Sequence, residues 1–118
     1  MVGGIAVWAG ASEVESIWKL HRKLLAEQAN AQTQLPLKLN EYTTLIGVRV
    51  GLASLTNVYR VTKPRKEDVN LSVFDAGLRR GVCSDNNKLS MIKDGASYSF
   101  EYHWDTGDVA NFEISSCP

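Results

Sequence analysis

Val14, Ile17, Trp18, His21, Leu24, Leu25 and Gln28 recur at three- and four-residue steps. Such spacing marks one largely apolar face of a helix over about Glu13 to Asn30. Ser12-Glu13-Val14-Glu15 reads as its capping box, with Ser12 as N-cap and Glu15 at the third helical position. Pro36 blocks continuation. The period then falls to two. Thr44, Ile46, Val48, Val50 and Leu52 alternate with Leu45, Gly47, Arg49 and Gly51, which predicts a strand buried on one face. A turn over residues 51–54 leads to a second strand, Leu55 to Thr62. Tyr59 and Val61 are expected to point inward and Arg60 outward, and Pro64 closes the run.

Helical spacing returns with Val69, Val73, Phe74, Gly77, Leu78 and Val82, predicting a helix over about Val69 to Val82. Arg79 and Arg80 in its last turn complement the helix dipole. Ser84 and Asp85 can cap a short third helix carrying Leu89 and Ile92, with Gly95 as its stop. The final segment alternates most strictly. Tyr98, Phe100, Tyr102 and Trp104 share one face and Ser97, Ser99, Glu101 and His103 the other. Asp105-Thr106-Gly107-Asp108 forms a turn, after which Ala110, Phe112 and Ile114 alternate with Val109, Asn111 and Glu113. Four aromatics on one face need a cover, and Ile17, Trp18, Leu24 and Leu25 are expected to supply it. The order is helix, hairpin, two helices, hairpin. It predicts an α+β domain over residues 12–118, its N-terminal helix packed on an antiparallel sheet of about four strands.

Composition is that of a globular chain: 118 residues, 44% hydrophobic and 22% charged. Thirteen basic residues balance thirteen acidic ones, so no global field draws in nucleic acid or an anionic membrane. Val2 to Ala11 carries no charge and ends in Ala9-Gly10-Ala11, a small-x-small pattern of the kind a signal peptidase accepts. Residues 1–11 therefore read as the remnant of an export or anchor segment; the competing reading is an apolar extension packed on the domain.

The chemistry on offer is sparse. Cys83 and Cys117 lack the paired spacing of a zinc site, which leaves a disulfide or two separate buried thiols. A penultimate residue is a poor place for a buried thiol, because chain ends fray, and a disulfide would tie that end down. In exported protein the disulfide is the expected state. Cys83 as a reactive thiol, activated by Arg79 and Arg80, is the enzymatic alternative. His21 lies on the apolar stripe, where an imidazole usually packs with one satisfied hydrogen bond. His103 and Asp105 could share a strand face, but no serine or cysteine nucleophile accompanies them. The basic run Arg60, Lys63, Arg65 and Lys66 has no interleaved aromatics and is followed by Glu67 and Asp68, as in a solvated loop. No phosphate loop, metal spacing or dinucleotide fingerprint occurs, so no catalytic residue, metal or cofactor is assigned.

From Cys83 onward the chain resembles the small periplasmic pilotins of type II secretion, which carry secretin subunits to the outer membrane. The likeness rests on Cys83, a short helix, Gly95, Tyr98, Tyr102, Asp105, Gly107, Phe112 and Cys117. It is also similar to small exported bacterial proteins, including some from integron cassettes. The resemblance implies a disulfide, a helix-covered sheet and an envelope location. Pilotins of the usual kind are lipoproteins, and no cysteine near residue 11 could accept a lipid here. The reading is thus a non-catalytic, exported protein that binds a protein or peptide partner or a second copy of itself. It would meet a membrane only through an N-terminal anchor. The alternative is a small-ligand or enzymatic domain with a pocket between the first helix and the sheet, lined by Trp18, His21, Tyr98 and Tyr102.

Overall fold

The computed structural model describes residues 2–118, with side chains described from residue 14 onward. A long helix, α1 (Val2–Gln32), is followed by β1 (Leu37–Lys38), β2 (Thr43–Val50) and β3 (Ser54–Val61). A short 3₁₀ turn (Lys66–Asp68) leads into α2 (Leu71–Ser84) and α3 (Asn86–Lys93), and the chain closes with β4 (Ser97–Trp104) and β5 (Val109–Ile114). The five strands form one sheet in the order β1-β2-β3-β4-β5.

Three features correct the expected architecture. The sheet has five strands because β1, only two residues long, pairs with Leu45 and Thr44 of β2. Its central pair, β3 with β4, is parallel, whereas the other pairs are antiparallel. The helices α2 and α3 form the crossover that carries the chain back to the starting end of β3, which a parallel pair requires. The third feature is α1, which runs back through Ser12 to Val2, so the helix does not begin at the capping box. The side chains of residues 1–13, and with them the export reading of residues 1–11, lie outside the described residues.

One face of the sheet is buried and the other is open. Tyr98, Phe100, Tyr102 and Trp104 are all buried, as their alternation predicts. Register places Leu55, Tyr59 and Val61 of β3 beside them, and Ile114, Phe112 and Ala110 of β5 on the other side. Tyr59 and Val61 are buried and Arg60 is exposed, as expected. In β2 the alternation slips. Leu45 faces inward, a bulge falls between Leu45 and Gly47, and Val48 is the next inward residue. An extra residue in one strand re-aims the side chains beyond it. Ile46, read as inward, is therefore exposed.

The cover from α1 also differs from expectation. Leu24 is fully buried, but Ile17, Trp18 and Leu25 are exposed, and the core-facing stripe runs instead through Leu20, Leu24 and Ala31. Each buried leucine contributes roughly 1.5–3 kcal/mol over its exposed state. Polar residues on this side fasten the helix. His21 Nδ1 lies 2.9 Å from the Gly51 carbonyl oxygen and 3.1 Å from that of Leu52, so it must be the protonated ring nitrogen. Gln28 donates to the Val48 carbonyl at 2.8 Å. Glu27 accepts from Tyr98 Oη at 2.9 Å and from Asn87 at 3.0 Å, joining α1 to β4 and α3. From α3, Met91 and Ile92 enter the same core. Asp85 caps that helix, and Gly95 (φ 106°) ends it in a backbone conformation that favours glycine.

Candidate binding cleft

The helix α2 begins where the Asn70 side chain accepts a hydrogen bond from the Val73 N–H at 3.2 Å. That side-chain oxygen satisfies one of the donors that a helix start leaves open. Its far end is fixed covalently: Cys83 and Cys117 form a disulfide with Cα atoms 5.7 Å apart, and Arg79 donates to the Ser116 carbonyl at 3.4 Å. Val82 is buried and Leu78 packs on the core. The first turn, in contrast, leaves apolar side chains exposed: Val73 is 64% accessible, and Leu71 and Phe74 are exposed as well.

Between α2 and the sheet lie two adjoining apolar hollows that share Phe74. The larger, about 560 Å³, has Phe100 as its floor and Val73, Leu78 and Val82 on its helical side. Arg80, Asp85 and Lys88 stand at its polar end. The smaller, about 210 Å³, is floored by Tyr102, Trp104 and Phe112 and bounded by Val61, Val69 and Leu71. Phe74 meets the Tyr102 ring edge-on at 5.0 Å and the Phe112 ring at 5.4 Å, so it divides the hollows rather than sealing either. At the polar end Lys88 is held 3.9 Å from Asp85 and lies over the Tyr98 ring. Arg80 makes no ion pair among the described residues. The cleft is thus an apolar trough with two cations at its rim, Arg80 at the larger hollow and Lys63 at the smaller, neither ion-paired among the described residues.

The residues singled out in the sequence do not converge on it. Tyr102 lines the smaller hollow, stacked on Tyr59 at 4.6 Å. Tyr98 is fully buried and bonded to Glu27. Trp18 and His21 form an edge-on pair at 5.6 Å on α1, beside the turn between β2 and β3. The four side chains therefore share no cavity among those described; His21 is occupied with main-chain carbonyls. The sequence did place Val73 and Phe74 on a helix face, but gave no sign that this face would stay uncovered.

The open face of the sheet carries a polar cluster. His103 Nε2 lies 2.8 Å from Glu101 Oε1, and Arg49 pairs with the other carboxylate oxygen. His103 thus joins Glu101, two residues back in the strand, rather than Asp105, which belongs to the turn. Burial alone would raise the Glu101 carboxyl, but hydrogen bonds from Arg49 and His103 outweigh it and hold the group below the usual glutamate range. No group of three or more metal-ligating side chains occurs among the described residues. None of their helices is long and apolar enough to cross a membrane.

No family model matches the sequence, and no curated protein matches it. The fold has solved counterparts. A candidate secreted protein from Pseudomonas aeruginosa superposes with a TM-score of 0.77 at 19% identity, covering 86% of this chain and 93% of that one. The pilotin EpsS of the Vibrio vulnificus type 2 secretion system gives 0.74 at 9% identity, covering 86% and 92%. The type II secretion pilotin AspS of Vibrio cholerae gives 0.69 at 13%, covering 86% and 94%. The α+β fold of this chain, from its long helix to its closing hairpin, is the fold of the type II secretion pilotins.

Proposed function

We propose that this protein is an exported, non-catalytic binding domain that takes an apolar segment of a partner protein into the cleft between α2 and the sheet. The observation that carries the reading is the cleft itself. Val73, Phe74 and Leu71 keep apolar surface exposed along its edge, and Phe74, packed on Tyr102, fills neither hollow. An uncovered apolar surface with a polar rim is the usual mark of a docking site. The shared fold with pilotins supports a protein as the occupant, and the sequence resemblance points to a secretin subunit. The pairing of Cys83 with Cys117 supports an oxidising compartment such as the periplasm.

The test is direct binding of the purified, oxidised protein to the secretin of its own host. Val73→Asp puts a charge at the mouth of the cleft without touching the core and should weaken binding roughly tenfold or more, as loss of a central apolar contact does. Equal binding by both forms would place the interface elsewhere. One observation favours a second reading. A hollow of about 560 Å³ falls within the size range of small-ligand sites, so an apolar small molecule could use the same cleft. In that case Val73→Asp would lower ligand uptake and leave partner binding unchanged.

A further inference from the structure

The core does not use every apolar residue of α1. Its buried stripe runs through Leu20, Leu24 and Ala31, yet Val14, Trp18 and Leu25 stay on the surface at 51%, 49% and 41% accessibility. With His21 these residues stand four, three and four positions apart. A 4-3-4 step is the 3.5-residue period of a helix seam, and it fits another helix better than a flat surface. Leu52, also exposed, adjoins the seam because its carbonyl lies within hydrogen-bond reach of His21.

Glu15 and Arg22 flank the seam on one side, each immediately after a seam residue and seven positions apart, and Lys19, after Trp18, lies between them in sequence. Neither Glu15 nor Arg22 forms an ion pair among the described residues. In a parallel pair of such helices these positions would face Gly10 and Ile17 of the partner and find no counter-charge. In an antiparallel pair they face each other, Glu15 against Arg22 and Arg22 against Glu15. Val14 then packs on Leu25 and Trp18 on His21, each contact occurring twice about a two-fold axis.

We propose that a second copy of this chain docks on α1 as an antiparallel helix pair, with Val14, Trp18, His21 and Leu25 as the seam and Glu15–Arg22 as the flanking ion pairs. The seam is a different surface from the cleft at α2, so the two readings stand or fall separately.

Sedimentation equilibrium of the full chain over a range of concentrations tests the proposal, with circular dichroism to confirm that each variant is folded. The wild type should show a concentration-dependent dimer. Glu15→Arg and Arg22→Glu alone should each weaken it roughly tenfold or more, because each sets like charges opposite one another. The double exchange E15R/R22E should restore wild-type association. A wild type that stays monomeric at every concentration overturns the proposal, as does a dimer indifferent to the single changes or not rescued by the double one. A monomer that sediments with phosphatidylglycerol vesicles would assign the seam to lipid and overturn it equally.

Discussion

Three tyrosines of the buried face show how strongly the core constrains its residues. Burial pushes the Tyr59 hydroxyl up to about 12, and it raises Tyr98 and Tyr102 further. A hydrogen bond to Glu27 adds to the effect at Tyr98, and the nearby Tyr59 adds to it at Tyr102. A group whose pKa is higher folded than unfolded stabilises the fold below the unfolded value and loses that contribution as pH rises through the folded one. The fold should therefore weaken above about pH 10, the ordinary tyrosine value. Tyrosinate absorbance should rise together with loss of the circular dichroism signal; titration of all four tyrosines in a still-folded protein would contradict this. Glu101 has the opposite sign, its contribution being present above the ordinary glutamate range and lost as pH falls through its lowered value. On β4, Phe100→Ala should cost about 3–5 kcal/mol in urea unfolding. Ser99→Ala, on the open face, should cost almost nothing. These faces were legible because four aromatics alternate without interruption. The partners of His21 were not, because the carbonyls it bonds lie 30 and 31 positions along the chain and a loop side chain gives no hint of them.

Among the elements, α1 was read correctly as a helix and wrongly as to its buried side. Sequence spacing marks an apolar stripe but not which of two stripes the sheet will meet, and Glu27, polar between Leu24 and Ala31, interrupts the true one; Glu27 and Gln28 are both half-buried. They are satisfied by Tyr98, Asn87 and the Val48 carbonyl, so a polar residue there costs little. His21→Ala should remove about 1 kcal/mol of stability by freeing the β2–β3 turn from α1, measured by urea denaturation. The bulge at Ile46 and Gly47 defeated the strict alternation expected in β2. The parallel pairing of β3 and β4 was not legible either, because period-two patterning fixes which face a residue takes and not which neighbour a strand chooses. The disulfide acts at this scale. Closing a loop of 34 residues between Cys83 and Cys117 should contribute about 3–4 kcal/mol by restricting the unfolded chain. Unfolding with and without reductant measures it, and thiols freely alkylated in natively exported protein would exclude the bond.

For the whole molecule, the helices gather on one face of the sheet and leave the other to a polar, ion-paired surface. The cleft at α2 is the consequence of an incomplete cover: α1 and α3 close one part of the sheet, whereas in the first turn of α2 Phe74 packs on Tyr102 and Phe112 and leaves a hollow on either side of it. The sequence placed the helices and both hairpins in order, which was enough to suggest the pilotin likeness that the solved structures bear out. It could not place the cleft, which depends on how far a helix sits from a sheet. Whether a partner protein occupies this cleft can be read directly in the cell. A photocrosslinking residue at Val73, compared with one at Thr56 on the open face, tests it in the exported protein in its native host. One discrete protein adduct is expected from Val73, lost when Arg80→Glu and Phe74→Ser alter the cleft, and none from Thr56. Adducts from Thr56 alone, or none from Val73 in folded protein, would contradict it.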